Sequence, residues 1–185
     1  YRSIPGACIV DVSDGTMFSY FLKGLKDYEG VVYFRTARRG VKDIYQYNEK
    51  FEVGKGKILT EGTDATIIAS GIQVVQALEA AKLLKEEGIS VRVADPVTVK
   101  PLDEELIIDS AKKTGLIVTS ENHNVCGGLG DAVSSVTAEH YPVTVWKNGV
   151  KDIFGQVGNE NYLREQYCLR SRDIADLVRK GLERK

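Results

Sequence analysis

The stretch SENHNVCGGLG, residues 120–130, combines glycines with side chains that could do chemistry. It follows the apolar run GLIVT and precedes a segment with helical spacing, which is where α/β proteins often bind phosphate. A dinucleotide site requires G-x-G-x-x-G and an acidic residue about 20 residues later, at the end of the next strand. Here Gly127, Gly128 and Gly130 give G-G-x-G, and the next strand ends in WKNG. The pattern therefore argues against a dinucleotide site.

Two interpretations of this glycine loop remain. Glycine permits positive φ and close packing of a helix on a sheet, so we favour packing, with anion binding at the helix N-terminus as the alternative. His123 lies close to Glu121 in sequence, and the two could form an acid–base pair. Neighbouring titratable residues in a loop more often form structural hydrogen bonds. We therefore expect a structural role for this pair.

The composition is typical of a globular protein that buries a core. The 185 residues are 43% hydrophobic and carry a formal net charge of −1, so the chain lacks the basic surface that nucleic-acid binding needs. No apolar run approaches the roughly 18 residues that suggest a membrane span, and no signal sequence is recognisable. We expect a cytoplasmic protein with no nucleic-acid or membrane partner, and the absence of an initial methionine suggests a piece of something longer.

The cysteines do not suggest a metal or disulfide framework. Cys8, Cys126 and Cys168 are an odd number and include no C-x-x-C pair. Structural zinc sites use four ligands, usually supplied as such pairs. We therefore expect three reduced thiols.

The first part of the chain reads as one β-α-β unit. ACIVDV predicts a buried strand, and the segment from Ser13 predicts a helix, with Asp14 as a cap and Met17, Phe21 and Leu25 on one face. GVVYFRTARRG then predicts a second strand that runs into a basic loop. Residues 41–60 are polar and rich in turn residues, which predicts a linker that leads into an edge hairpin or short strand.

The second part alternates strands and helices. The predicted strands are ATIIASG, ISVRVADP, LIVTSEN and PVTVWKNG, and the predicted helices include IQVVQALEAAKLLKEEG, PLDEELIIDSAKKTG, DAVSSVTAEH and a closing SRDIADLVRKGLER. DIFGQVG predicts an irregular loop before the last helix. Such alternation is typical of a parallel sheet with helices on both faces. The predicted fold class is α/β, a three-layer α/β/α domain with a mostly parallel five-stranded sheet.

Four blocks in a fixed order span nearly the whole chain and carry a family resemblance. They are YRSIPGACIVDVSDGTM, VVYFRTARRG, VGKGKILTEGTDATIIASGIQVVQALEAAKLLKEEGISVRVADPVTVKPLDEELI and IVTSENHNVCGGLGDAV. Together they resemble the carboxy-terminal part of a transketolase, most closely the split bacterial and archaeal type, in which two polypeptides share the enzyme. Deoxyxylulose-phosphate synthase and the beta subunit of 2-oxoacid dehydrogenases have the same domain plan and are the nearest alternatives.

The resemblance implies a division of the chain. Transketolases have three α/β domains, and residues 1–40 resemble the end of the pyrimidine-binding domain, 41–60 a linker and 61–185 the carboxy-terminal domain. The diphosphate-binding domain, its metal-binding aspartate and asparagine, and the glutamate that acts on the cofactor's pyrimidine have no counterpart in this sequence. We expect thiamine diphosphate and magnesium in the intact enzyme, none bound by this chain alone, and no catalysis by this chain alone.

The resemblance also implies one substrate contact. In the family, an arginine after the strand equivalent to VVYF helps to hold the phosphate of the sugar substrate, and the matching residue is Arg35, with the register open by one residue. A guanidinium suits this task because it can bind two phosphate oxygens at once and stays charged. Arg38 is the second candidate, and Arg39 adds positive potential. The alternative interpretation is a solvated basic turn.

The implied function is transfer of a two-carbon ketol unit from a ketose phosphate to an aldose phosphate. The implied partners are the amino-terminal section of the same enzyme, with a homodimer or a heterotetramer as the assembly, and sugar phosphates as substrates. Whether the chain is a natural subunit or a truncated piece stays open. A hypothesis of another class is a non-catalytic α/β module for assembly or small-ligand binding.

Overall fold

The computed structural model describes residues 1–185, and two β-sheets organise them. In chain order, the elements are β1 (Cys8–Asp11), α1 (Gly15–Gly24), a 3₁₀ turn (Leu25–Asp27), β2 (Val32–Arg35), β3 (Lys57–Thr60), β4 (Ala65–Ala69), α2 (Gln73–Glu86), β5 (Val91–Asp95), β6 (Thr98–Lys100), α3 (Glu104–Thr114), β7 (Leu116–Asn124), α4 (Leu129–His140), β8 (Thr144–Val150), α5 (Glu160–Gln166) and α6 (Ser171–Leu182).

The larger sheet has the strand order β3-β5-β4-β7-β8. Strands β5, β4, β7 and β8 are parallel, and β3 is an antiparallel strand at one edge. Helices α2 and α6 pack together on one face, and α3 and α4 pack together on the other. The sheet is therefore the middle of three layers, which confirms the predicted five-stranded α/β/α domain.

Both faces of this sheet are buried, as its continuous apolar strands require. Every residue of β4 is buried, and its side chains alternate between the two faces. Ile67 packs in a cluster with residues of α2 and α6, whereas Ile68 packs in a cluster with residues of α3 and α4. The two clusters hold the helical layers to the sheet from opposite sides.

The smaller sheet has the strand order β2-β1-β6. Strands β1 and β2 are parallel and connected through α1, which confirms the predicted β-α-β unit. The third strand, β6, comes from the second part of the chain and pairs antiparallel with β1, with Val10 opposite Thr98. This pairing was not predicted, because β6 has only three residues and lies between a buried strand and a proline.

Asp14 connects the first helix to the segment that follows the small sheet. Its Oδ1 accepts a hydrogen bond from Met17 N at 2.8 Å, which confirms the predicted cap of α1. Its Oδ2 accepts hydrogen bonds from Ile44 N at 2.9 Å and from Tyr45 N at 2.8 Å. The same carboxylate therefore fixes the beginning of the predicted linker, whose Phe51 also packs in the core of the first part.

The rest of the linker and the chain end follow the prediction with one exception. The short edge strand predicted before the second part is β3. Residues 151–159 have no regular secondary structure, as predicted, but α5 follows them and was not predicted. All three cysteines are free thiols. No helix has both the length and the apolar character that a membrane crossing demands.

Asp95, at the end of β5, is a fully buried carboxylate that connects the two parts. Its Oδ2 accepts hydrogen bonds from Tyr45 Oη at 2.9 Å and from Ser13 Oγ at 2.5 Å, and its Oδ1 accepts one from Val97 N at 2.8 Å. Burial raises the pKa of Asp95 to about 6, because desolvation disfavours the charged form more than these hydrogen bonds favour it.

The substitution Asp95→Asn tests this raised pKa through the pH dependence of stability. The folded state holds the proton of Asp95 more tightly than the unfolded state, so wild-type stability is fully present below pH 3.8 and decreases as the pH rises to about 6. One pKa unit corresponds to 1.36 kcal/mol, so the loss should total roughly 3 kcal/mol. Asp95→Asn has no such group, and its free energy of unfolding should not share this loss.

Urea denaturation of both proteins at several pH values between 4 and 7 measures the difference. Titratable groups that do not interact with Asp95 contribute equally to both proteins and cancel, whereas the repulsion between Asp95 and Asp11 belongs to the measured difference. The exposed carboxylate Asp27 provides a matched control, because Asp27→Asn should follow the wild-type pH profile. A wild-type-minus-Asp95→Asn difference that stays constant across this pH range would contradict the assignment.

Candidate functional site

Arg35 ends strand β2 and contacts both parts of the chain. Its register partner on β1 is Asp11, and Arg35 Nη1 lies 3.3 Å from Asp11 Oδ2. Its Nη2 donates a hydrogen bond to the backbone carbonyl of Asn122, at the end of β7. The guanidinium that the family resemblance selected is half-buried and already has two protein acceptors.

Asp11 is the carboxylate that faces Arg35 across the small sheet. Burial raises the pKa of Asp11, while the Arg35 charge and a hydrogen bond from Ser70 Oγ at 2.9 Å act in the opposite direction. Ser70 follows β4 of the large sheet, so Asp11 also links the two sheets. Asp11 and Arg35 thus form a polar bridge at the carboxyl ends of both sheets, where Arg35 has less freedom to bind a ligand than an unpaired arginine.

A cavity of about 740 Å³ lies on one side of this bridge. Arg38 and Arg39, in the loop after β2, line it, are exposed, and form no ion pair with a protein carboxylate. Arg164 of α5 lines it as well and pairs with Glu160 at 2.6 Å. The structure therefore brings both predicted residues, Arg35 and Arg38, to one cavity and leaves the guanidinium of Arg38 free.

A second cavity, of about 560 Å³, lies on the other side of the bridge and includes the glycine loop. Glu121 is buried there, and its carboxylate accepts hydrogen bonds from Leu129 N and Gly130 N, each at 2.8 Å. Burial raises the pKa of Glu121, and these two N–H groups oppose the rise. The N-terminus of α4 is thus already occupied by a carboxylate of the protein itself, which supports packing over anion binding.

His123 shares this cavity but is only loosely connected to Glu121. Its Nδ1 lies 3.7 Å from Glu121 Oε2 and 2.7 Å from the backbone carbonyl of Asn124. The imidazole is half-exposed, and its close contact is with the backbone. This geometry supports the structural interpretation of the pair over an acid–base role.

The chain does not assemble a set of side chains that could bind a metal ion. No three side chains among its histidines, cysteines, aspartates and glutamates lie close enough together to hold a metal ion. Magnesium prefers carboxylate oxygens and keeps several waters, and divalent sites need such ligands in one place. The residues present do not fit a divalent-metal site.

The sequence did not single out two cavity residues, Gln73 and Arg164. Gln73 is the first residue of α2 and lines the larger cavity at the turn after β4. Its position at a strand-to-helix turn of a parallel sheet was a usable signal. Arg164 carried no such signal, because nothing in the sequence shows that α5 lies against the loop after β2.

Comparisons with known proteins agree with one another. The family model for the transketolase C-terminal domain matches residues 54–174. The chain is 40% identical over 184 residues to a 6-deoxy-6-sulfo-D-fructose transketolase subunit, SqwH, of Clostridium sp. (strain MSTE9), covering 100% of this chain and 57% of that protein. It is also 40% identical over 148 residues to the transketolase of Homo sapiens, covering 78% of this chain and 24% of that enzyme.

A solved structure matches both fold and sequence. It is described as a split-gene transketolase in an inactive β4 tetramer, and the match has a TM-score of 0.93 at 42% identity, covering 98% of this chain and 59% of that one. The chain therefore spans little more than half the length of its split relatives and about a quarter of an undivided enzyme.

The substitution Gly128→Ala tests the packing role of the glycine loop. An added Cβ would lie 1.9 Å from Glu121 Oε2, and that buried carboxylate cannot move without losing its hydrogen bonds to α4. Such overpacking should lower the free energy of unfolding by about 1–3 kcal/mol, measured by urea denaturation. Gly155→Ala is the matched control, because its Cβ would meet no atom within 4 Å. Equal stability of the two variants would contradict the packing role.

Proposed function

The chain belongs to the transketolase family, of which it is a carboxy-terminal section, and we propose that it completes an enzyme that transfers a two-carbon ketol unit between sugar phosphates. The observation that carries this proposal is the guanidinium-lined cavity at the carboxyl ends of both sheets. Transketolases use thiamine diphosphate and a divalent metal, and this cofactor stabilises the carbanion that the reaction needs. In the proposed enzyme, the missing section holds the cofactor.

The proposed domain division follows from the same assignment. Residues 1–40 are the end of the pyrimidine-binding domain, 41–60 the linker and 61–185 the carboxy-terminal domain. The two-sheet arrangement supports this division, since β1 and β2 form their own parallel unit. The linker's strand β3 and the short strand β6 each pair across the proposed boundaries. The two domains would therefore move as one body during the reaction.

Within the proposed enzyme, Arg38 holds the phosphate of the sugar and Arg35 positions the site. Arg38 is exposed in the cavity and has no protein carboxylate as a partner, so its guanidinium can bind two phosphate oxygens. Arg35 is held by Asp11 and by the carbonyl of Asn122, which keeps the start of the basic loop in place. The positive charge of Arg35, partly offset by Asp11, also contributes to the electrostatic potential in the cavity.

The relatives support two anionic sugar classes as substrates. The name of the Clostridium relative specifies a sugar that carries a sulfonate, whereas transketolases in general act on phosphate esters. Both groups are tetrahedral oxyanions that a guanidinium can bind, so a sulfonated ketose is a second candidate beside a ketose phosphate. The arginines of the cavity accept either class.

The proposed assembly joins this chain to an amino-terminal section, with two copies of each in the active enzyme. The solved split-gene relative described as an inactive β4 tetramer supports the proposal that the carboxy-terminal section does not catalyse by itself. A cytoplasmic location is part of the proposal and is consistent with the three free thiols. Deoxyxylulose-phosphate synthase, a 2-oxoacid dehydrogenase beta subunit and a non-catalytic module are not favoured by the family matches.

Reconstitution tests the proposal directly. A carboxy-terminal section that contains this chain and has the full length of its split relatives, mixed with its amino-terminal section, thiamine diphosphate and magnesium, should transfer a ketol unit from xylulose 5-phosphate to ribose 5-phosphate. Neither section should do so alone, because the diphosphate-binding domain and the arginines that bind the substrate lie on different polypeptides. Product formation is measured by a coupled assay for glyceraldehyde 3-phosphate. No turnover with any phosphorylated or sulfonated ketose would refute the proposed function.

The substitution Arg38→Ala tests the phosphate contact in the reconstituted enzyme. A charge-assisted hydrogen bond is worth about 1.5–3 kcal/mol, so kcat/KM for ribose 5-phosphate should decrease about ten- to hundredfold, mainly through KM. The same variant should use glycolaldehyde, which has no phosphate, as well as wild type does. Arg172→Ala, at an exposed arginine outside the cavity, is the control and should change neither value. Equal losses with both acceptors would show that Arg38 does not contact the phosphate.

A further inference from the structure

The larger cavity covers the topological switch point of the five-stranded sheet. The chain leaves β4 toward β5 on one side, and β7 lies on the other side of β4. In open parallel sheets, ligands bind in the crevice outside the carboxyl ends of the two strands that flank such a point. Gln73, just after β4, and Asn122, near the end of β7, both line the cavity. The carboxy-terminal domain thus presents its own ligand-binding edge there.

Two side-chain nitrogens at this edge lack protein partners. Gln73 is fully buried, and its Nε2 has no hydrogen-bond partner. Arg164 contributes a buried Nε that is also unpartnered. Buried polar groups without partners are rare, and each calls for an explanation such as a bound ligand. Both atoms are themselves buried, so the part of this edge that a ligand can reach is the exposed portion of the Arg164 side chain.

The N-terminus of α2 adds to the positive potential of the cavity. Its N-cap position is Ile72, no side chain caps the helix, and its first turn contains no acidic residue. The N-terminus of α4, by contrast, already holds the carboxylate of Glu121. A helix N-terminus carries partial positive charge and binds anions through its free N–H groups. The first two N–H groups of α2 already donate to Ser70 O at 3.2 Å and to Gly71 O at 3.1 Å, so the helix contributes its partial charge to the cavity and the charged side chains supply the hydrogen-bond donors.

The charges that line the cavity come from both parts of the chain and are mainly positive. The four guanidiniums belong to Arg35, Arg38, Arg39 and Arg164. The two carboxylates belong to Asp11, where burial raises the pKa, and to Glu160. The volume of about 740 Å³ is in the range of small-molecule sites, roughly 300–1,000 Å³.

We propose that the carboxy-terminal domain binds the substrate, with Arg164 as a second ligand of its oxyanion group. The ligand is a small sugar with a phosphate or sulfonate group, held by Arg38 from one part of the chain and by Arg164 from the other. This inference rests on the proposed function for the identity of the sugar. It assigns to the carboxy-terminal domain a direct role in recognition, in addition to its structural contacts.

Titration calorimetry on the reconstituted two-section complex tests this inference, with inorganic phosphate, ribose 5-phosphate and methanesulfonate as probes. Arg164→Ala should weaken the binding of inorganic phosphate at least about tenfold, and Arg164→Lys should restore part of the loss. Glu160→Gln should strengthen binding, because it removes a carboxylate from the cavity and frees the Arg164 guanidinium. Arg172→Ala should bind phosphate as wild type does. The stronger of the phosphate and methanesulfonate responses identifies the oxyanion class.

The outcomes separate this inference from the proposed function. Wild-type phosphate affinity in a folded Arg164→Ala complex, or unchanged affinity in Glu160→Gln, overturns the inference. If Arg164→Ala does not fold, Arg164→Lys and Arg164→Gln decide, because a direct oxyanion ligand predicts phosphate affinity in the order wild type, Arg164→Lys, Arg164→Gln, and equal affinities would overturn the inference. Phosphate binding that depends on Arg164 in a complex without ketol transfer supports the site and refutes only the proposed reaction. Ketol transfer with a KM that is insensitive to Arg164 refutes only the inference.

Discussion

Two buried aspartates hold the two sheets of this protein in a fixed relation. Asp11, at the end of β1 in the small sheet, accepts a hydrogen bond from Ser70, which follows β4 of the large sheet. Asp95, at the end of β5 in the large sheet, accepts one from Ser13, which follows β1 of the small sheet. Buried carboxylates are costly, and burial raises the pKa of both. Such reciprocal bonds specify one arrangement of the sheets, because any other would leave a carboxylate buried without partners.

This arrangement determines where chemistry can occur. The carboxyl ends of β1 and β2 in the small sheet lie beside those of β4 and β7 in the large sheet. The basic loop after β2 and the switch point of the large sheet therefore face one cavity. Glu121 neutralises the helix N-terminus on the other side of the Asp11–Arg35 bridge. The cavity with four guanidiniums therefore carries more positive charge than the one that contains Glu121. In the proposed enzyme, this chain recognises the substrate, and the section that it lacks supplies the cofactor.

Much of the fold followed from local sequence signals. Apolar strands that alternate with amphipathic helices predicted the five-stranded, three-layer domain, and Asp14 before GTM predicted the cap of α1. The second role of Asp14, which binds the backbone of Ile44 and Tyr45, was not predictable, because the partners are separated by 30 residues in sequence. The pairing of β6 with β1 was missed for the same reason. Contacts between segments that are far apart in the chain do not alter the local hydrophobic periodicity of the sequence.

The sequence by itself determined the family, the layer architecture and the residue types that could bind an oxyanion, because these depend on local pattern and on blocks in a fixed order. Only the tertiary structure decided which arginines are free. The segment VVYFRTARRG gives no local signal that distinguishes Arg35 from Arg38. The fold places Asp11 opposite Arg35 and leaves Arg38 without a carboxylate partner. The fold also brings Arg164 to the same cavity across more than a hundred residues. Charge compensation depends on distances in space, and a linear sequence does not contain them.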